Sequence, residues 1–305
     1  TGCRRQAAGA RLDIWVLQTG DRRWVVPRDH PRPTSHDHRD LLEREAELAA
    51  LAAAVDRARS DSGSVVLVMG EAGVGKTSLI RAHLAALPPD VRVMTGAAED
   101  LVSARALGPF REMFPAGVDL ADTDRVVSRL LADVHDGPGP VVVVIDDAHW
   151  ADDASLDVVR SLSRRVHALP LVVVMALRHA ELTVDHPLRR LLATLTGPNT
   201  RRLELTGLSP AGVDVLAAQA GVDPSRLAEL EGNPFLVTEI LAAPDAELPA
   251  TVRDAIVGRL GSLSPDERDL LRTLAVFPRA AEIDVLTDMF PDAAELLETP
   301  ERAGL

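Results

Sequence analysis

Cysteine and lysine each occur once in this 305-residue chain, as Cys3 and Lys76. A single thiol rules out an intrachain disulfide and any cysteine metal cluster. The nine histidines stand at scattered spacings, with no His-x3-His pair beside carboxylates, so no zinc site is expected. Long apolar runs are lacking too. The longest, VVVVI at 141–145 and LVVVMAL at 171–177, are far too short to span a bilayer. The start carries arginines but no continuous apolar stretch of the kind a signal peptide needs. Positive charge is in deficit: a net charge of −13 argues against an extended nucleic-acid-binding surface in this span. These absences point to a soluble cytoplasmic chain with no membrane partner. At 46% hydrophobic it can bury a substantial core, in more than one domain. It opens on Thr1 rather than methionine, and its true beginning is expected to be missing or mis-set.

Residues 1–36 read as a disordered lead-in. Prolines, arginines and histidines mix there without a sustained period, and LDIWVL at 12–17 fits one short strand. Residues 1–40 hold eight arginines against five aspartates, a balance of +3, which leaves −16 on the other 265 residues. Such an arm is either a tail for an anionic partner or an untidy terminus. From Asp37 the pattern changes. HRDLLEREAELAALAAAVDRARS is rich in Ala, Leu, Glu and Arg at helical spacing and predicts a helix of about six turns. SVVLVM at 64–69 then reads as a buried strand, and a glycine-rich stretch opens the helix KTSLIRAHLAAL. Further strands are expected near 91–95, 140–145, 171–177 and 201–205, with helices near 122–135, 153–167, 186–195 and 210–219. Short apolar strands separated by amphipathic helices imply a parallel sheet covered on both faces, a three-layer α/β/α fold over 37–208. Beyond Leu208 the strands stop. Short capped helices fill 209–262, and 263–305 looks like the opening of another small domain.

Gly70, Gly75, Lys76 and Thr77 fit the pattern Gly-x4-Gly-Lys-[Ser/Thr]. A loop that wraps a phosphate must bring successive backbone N–H groups against its oxygens, and glycine permits that path. On this reading Gly70, Ala72, Gly73, Val74 and Gly75 line the phosphates of ATP or ADP, and Ser78 follows in the helix. That helix adds its positive N-terminal end. Lys76 reaches the β- and γ-phosphates as a compact point charge, and the Thr77 hydroxyl ligates Mg²⁺. The other 32 basic side chains are arginine. Arginine's planar fork is too large and wrongly shaped for this loop, so the lone lysine stands where arginine cannot work.

A loop of this type needs an acidic residue at the end of another buried strand, and VVVVIDDAHWAD supplies it. Asp146 is placed to hold Mg²⁺. Asp147, one step on, points differently and is the candidate for polarising the attacking water. His149 and Trp150 either pack the loop or stand near the γ-phosphate. The strand LVVVMAL ends at Arg178, where a P-loop ATPase of the additional-strand type carries a polar group that senses the γ-phosphate. A solvated surface arginine is the alternative.

LLEREAELAAL, the phosphate loop, DDAHWAD, ALRHAEL, HPLRRLLATL, LELTGLSPAGVDVLA and EGNPFLVTEILAAPDAELPATVRDAIVGRL follow one another in an order that resembles the LuxR-type large ATP-binding transcriptional regulators. These are members of the STAND class of signal-transduction ATPases, and the similarity spans about 40 to 290. The resemblance implies an AAA-like P-loop ATPase followed by a helical lid over 209–262 and a truncated winged-helix-like start over 263–305. It implies that Leu42 and Arg44 belong to a segment contacting adenine, and that Pro234 of Gly232-Asn233-Pro234 packs on adenine from the helical side. Arg178 corresponds to the γ-phosphate arginine. Glu43 stands where relatives usually have glycine. The full regulators bind DNA through a C-terminal helix-turn-helix, so DNA contact is expected only through a part missing here, and a nucleotide-dependent homo-oligomer is a further implication. Three functions remain open: a slowly hydrolysing ATP-dependent switch, a small-molecule or nucleotide kinase, and a remnant that binds nucleotide without turnover.

Overall fold

The computed structural model describes residues 15–19, 22–26, 41–100, 105–115, 117–179, 182–230, 232–243, 249–261, 263–277, 281 and 283–302. In chain order, β1 (Trp15–Thr19) and β2 (Arg22–Val26) pair antiparallel. Next come α1 (Glu45–Ala58), β3 (Ser64–Met69), α2 (Lys76–Ala85), β4 (Arg92–Ala97), α3 (Gly108–Met113) and α4 (Thr123–His135). Then follow β5 (Val141–Asp146), α5 (Asp153–Ser163), β6 (Leu171–Leu177), α6 (Pro187–Thr194) and β7 (Thr200–Glu204). Helices alone complete the described chain: α7 (Pro210–Ala220), α8 (Pro234–Ala242), α9 (Ala250–Gly261), α10 (Pro265–Leu274), α11 (Ile283–Met289) and α12 (Ala293–Arg302).

Five strands form one parallel sheet in the order β4-β5-β6-β3-β7. The expected three-layer P-loop fold is present, and β6 lies between β3 and β5, which is the additional strand. The three central strands are apolar because both their faces are covered, and their alternation divides the core in two. Val65, Leu67, Val143, Ile145, Val173 and Met175 face α3 to α6, where they meet Phe110, Leu130, Leu162 and Leu188. Val66, Val68, Val142, Val144, Val172 and Val174 face the other way, onto Leu51 and Val55 of α1 and Leu79 and Ile80 of α2. Edge strand β7 instead exposes Arg201 and Arg202, charges that discourage pairing with a further strand.

Several boundaries differ from expectation for identifiable reasons. The long helix begins at Glu45, because Glu43 adopts a left-handed φ of 57° and turns Leu41–Arg44 out of the helix. Residues 37–40 lie outside the described ones. The helix expected over 153–167 stops at Ser163 and resumes as a 3-10 turn at Val166–Ala168. Helix α3 has six residues, too few to show a period, and β2 falls where no strand was expected. The remainder of the lead-in over 1–36 lies outside the described residues. Beyond β7, Leu208, Val213, Ala217, Leu227 and Val237 form a third apolar cluster, and Leu270, Leu286 and Ala293 a fourth.

Candidate functional site

Strand β3 ends at Met69, and the chain passes through residues 70–75 before α2 begins at Lys76. Gly75 precedes the helix with φ 99°, a conformation that leaves glycine as the natural occupant. The Lys76 side chain is buried, and its Nζ donates to the carbonyls of Gly70 at 2.8 Å and Glu71 at 2.7 Å. The ammonium is therefore held over the loop rather than extended into solvent. Ser78 is exposed on α2.

The neighbouring strand end follows from the alternation of the core. Val142 and Val144 face α1 and α2, so Asp146, two residues on, belongs to the same side. There Thr77 Oγ1 donates to Asp146 Oδ2 at 2.9 Å. The backbone N–H of Asp147 donates to the other oxygen of Asp146 at 3.0 Å. Asp147 itself leaves the strand with φ 48° and ψ 42° and starts a 3-10 turn over Ala148–Trp150. Its carboxyl is held above the ordinary range, first by burial and then by the charge of Asp146; His149, Arg178 and Lys76 oppose the shift. Asp146 is bonded to the Thr77 hydroxyl and the Asp147 N–H, so the two carboxylates have different surroundings.

His149 is buried, with Nε2 4.0 Å from Asp147 Oδ1 and its ring 4.5 Å from that of Trp150. Arg178, immediately after β6, places its guanidinium carbon 5.4 Å from the centre of the Trp150 ring, a cation–π contact. It is half-buried and stacked rather than a freely solvated arginine. Lys76, Thr77, Asp146, Asp147 and Arg178 all lie at the carboxyl ends of β3, β5 and β6, the edge of a parallel sheet at which ligands bind. The donor set fits the ligands expected from it. A hydroxyl and a carboxylate are hard oxygen donors suited to Mg²⁺, and the buried ammonium is suited to a phosphate.

The residues expected on the adenine side have other visible contacts. Arg44 is buried, and its guanidinium donates to the carbonyls of Glu43 at 2.9 Å, Thr206 at 2.6 Å and Val74 at 3.4 Å. It joins the phosphate loop to the segment that follows β7. Leu42 packs on the apolar cluster of α7 and α8. Pro234 is the first residue of α8 and half-buried. The turn before it reaches the phosphate loop directly: Asn233 Nδ2 donates to Ala72 O at 3.0 Å, and Phe235 N to Gly73 O at 3.2 Å. Glu43 accepts from the backbone N–H of Ser209 at 2.7 Å and from its hydroxyl, at the start of α7. Asn233, Phe235 and Glu43 carried no expectation as site-shaping residues. The available signals were the side-chain cap type of Asn233 ahead of a helix, and the departure from glycine at Glu43.

Residues 40–174 match the model of the AAA ATPase domain. That span holds Lys76, Thr77, Asp146 and Asp147, and it ends inside β6, ahead of Arg178. The chain thus carries an AAA ATPase domain, a nucleotide-binding module. Among solved structures, the ORC2 protein of Aeropyrum pernix, described in ADPNP–ADP complexes, superposes with a TM-score of 0.61 at 14% identity, covering 90% of this chain and 89% of that one. The Walker-type ATPase of Pyrococcus abyssi gives 0.51 at 16% identity, covering 87% and 90%. At identities this low the superpositions establish a common fold alone. No curated protein matches the chain. Among the described residues no helix is long and apolar enough to cross a membrane.

Proposed function

We propose that this chain is an ATP-binding, slowly hydrolysing switch module of a signal-transduction ATPase of the STAND class, acting in transcription control within a LuxR-type regulator. The observation that carries the nucleotide part is the hydrogen bond between Thr77 and Asp146, with the Lys76 ammonium beside it over the glycine loop. Lys76 binds the β- and γ-phosphates of ATP, and Thr77 with Asp146 holds Mg²⁺. Bound Mg²⁺ supplies charge neutralisation on the phosphates. Asp147 orients the attacking water and receives its proton. Arg178, steadied on the Trp150 ring, faces the terminal phosphate. The switch part is supported by the contacts of α8 and of Arg44 with the phosphate loop, since a helical segment bonded to that loop responds to what the loop holds. Steady-state phosphate release from ATP, with and without small-molecule and nucleotide acceptors, tests the proposal. Slow release that ignores the acceptors supports it. A phosphorylated acceptor formed in step with ADP would establish the kinase instead.

A further inference from the structure

The turn ahead of α8 holds two successive peptides of the phosphate loop. The Asn233 side chain uses both ends of its amide. Its Oδ1 accepts from the N–H groups of Phe235 at 3.1 Å and Leu236 at 3.4 Å, capping α8, while Nδ2 donates to Ala72 O at 3.0 Å. Donors on one side and an acceptor on the other fix the orientation of the amide. Phe235 N adds its second bond, to Gly73 O at 3.2 Å. The approach is close: a Cβ on Gly73 would stand 2.7 Å from Asn233 Oδ1 and 2.9 Å from Phe235 Cβ.

The direction of these bonds matters. In a trans peptide the carbonyl and the following N–H point opposite ways. Drawing the Ala72 carbonyl toward Asn233 turns the Gly73 N–H away from α8. Drawing the Gly73 carbonyl toward Phe235 does the same to the Val74 N–H. That N–H donates to Glu71 O at 3.4 Å, the carbonyl on which the Lys76 ammonium also rests. The turn is in its own place because Leu208 N donates to Gly232 O at 2.7 Å, which ties it to the segment entering α7.

We infer that Asn233 is a positioning residue for the phosphate loop: by holding the Ala72 and Gly73 carbonyls outward it aims the following N–H groups at the phosphate, so phosphate affinity depends on where the helical segment sits. The inference rests on the nucleotide reading above and adds to it the residue through which the helical segment sets the loop.

Asn233→Asp tests it, because aspartate keeps the helix cap and removes the donor to Ala72. Asn233→Ser also caps the helix but is too short to reach Ala72, and serves as the second variant if the carboxylate disturbs folding. Hydrogen exchange of the nucleotide-free chain is read by mass spectrometry over residues 70–76, alongside calorimetric titration with Mg·ADP. Faster exchange in the loop, with β3 and the body of α2 unchanged, and a Kd for ADP raised about tenfold are expected. A merely structural role as the cap of α8, which both variants keep, would leave loop exchange and ADP affinity at the parental values, and either parental value overturns the assignment. A parent chain that takes up no ADP overturns the nucleotide reading instead, and loop exchange, which needs no ligand, still decides whether Asn233 sets the loop.

Discussion

Thr77 Oγ1 donates to Asp146 Oδ2 at 2.9 Å, joining the first turn of α2 to the end of β5 across 69 residues of sequence. The two oxygens are close enough to share one cation, and the shared side of the sheet puts them there. Asp146→Asn keeps the shape and removes the charge. ATP binding by this variant is expected to lose its dependence on Mg²⁺, read by titrating ATP with and without the metal. A parental response to Mg²⁺ would remove Asp146 from the metal site.

Asp147 lies next to Asp146 but points elsewhere, with a left-handed backbone that asparagine also tolerates. Asp147→Asn should therefore fold, bind Mg·ATP as the parent does, and hydrolyse it at least about a hundredfold more slowly, the usual loss for a positioned base. Single-turnover hydrolysis measures this. A rate within a fewfold of the parent would mean that another group handles the proton.

Glu43 offers a test by pH. Hydrogen bonds from the Ser209 hydroxyl and N–H hold its carboxyl below its ordinary value of 4.5. A depressed carboxyl stabilises the folded chain fully above the unfolded value, and that contribution is lost as the pH falls through the folded one. Glu43→Gln should accordingly melt below the parent at neutral pH, with the gap closing as the pH drops below about 4.5. All other groups are common to both proteins. A gap of the same size from pH 7 to pH 3 would mean that the carboxylate charge does not act at Ser209.

Pro234 begins α8, a position that suits proline with or without a ligand. If it also packs on adenine, Pro234→Ala should lower the rise in melting temperature that nucleotide produces. At a hundredfold excess over Kd that stabilisation is about 2.7 kcal/mol by mass action. Comparison at matched saturation separates the two uses. An equal rise in both proteins, with only the ligand-free melting point lowered, leaves Pro234 as a helix starter.

The parts of the site that the sequence shows are those built from neighbours in the chain. Strand, glycine loop and helix around Lys76 are contiguous, and Asp146 closes a run of five β-branched residues, so pattern and chemistry coincide. The parallel sheet follows from the same apolar runs. The turn at Glu43 breaks a helix-forming segment because Ser209, Thr206 and Val74 bind its side chains from far along the chain; local propensity carries no trace of such partners. The bond from Asn233 to Ala72 spans 161 residues for the same reason. Arg178 could be placed at a strand end, but its stacking on Trp150 depends on β5 and β6 lying side by side.

Calorimetric titration of Mg·ATP into the parent chain and into Lys76→Ala tests the central claim most directly, with circular dichroism confirming that both are folded. Lys76 rests on the carbonyls of Gly70 and Glu71, in the loop that the claim assigns to the phosphates. Saturable binding by the parent and a loss of at least about tenfold in the variant, roughly 1.4 kcal/mol, is the predicted result. The same affinity in both proteins, or no uptake of nucleotide by the parent, would contradict it.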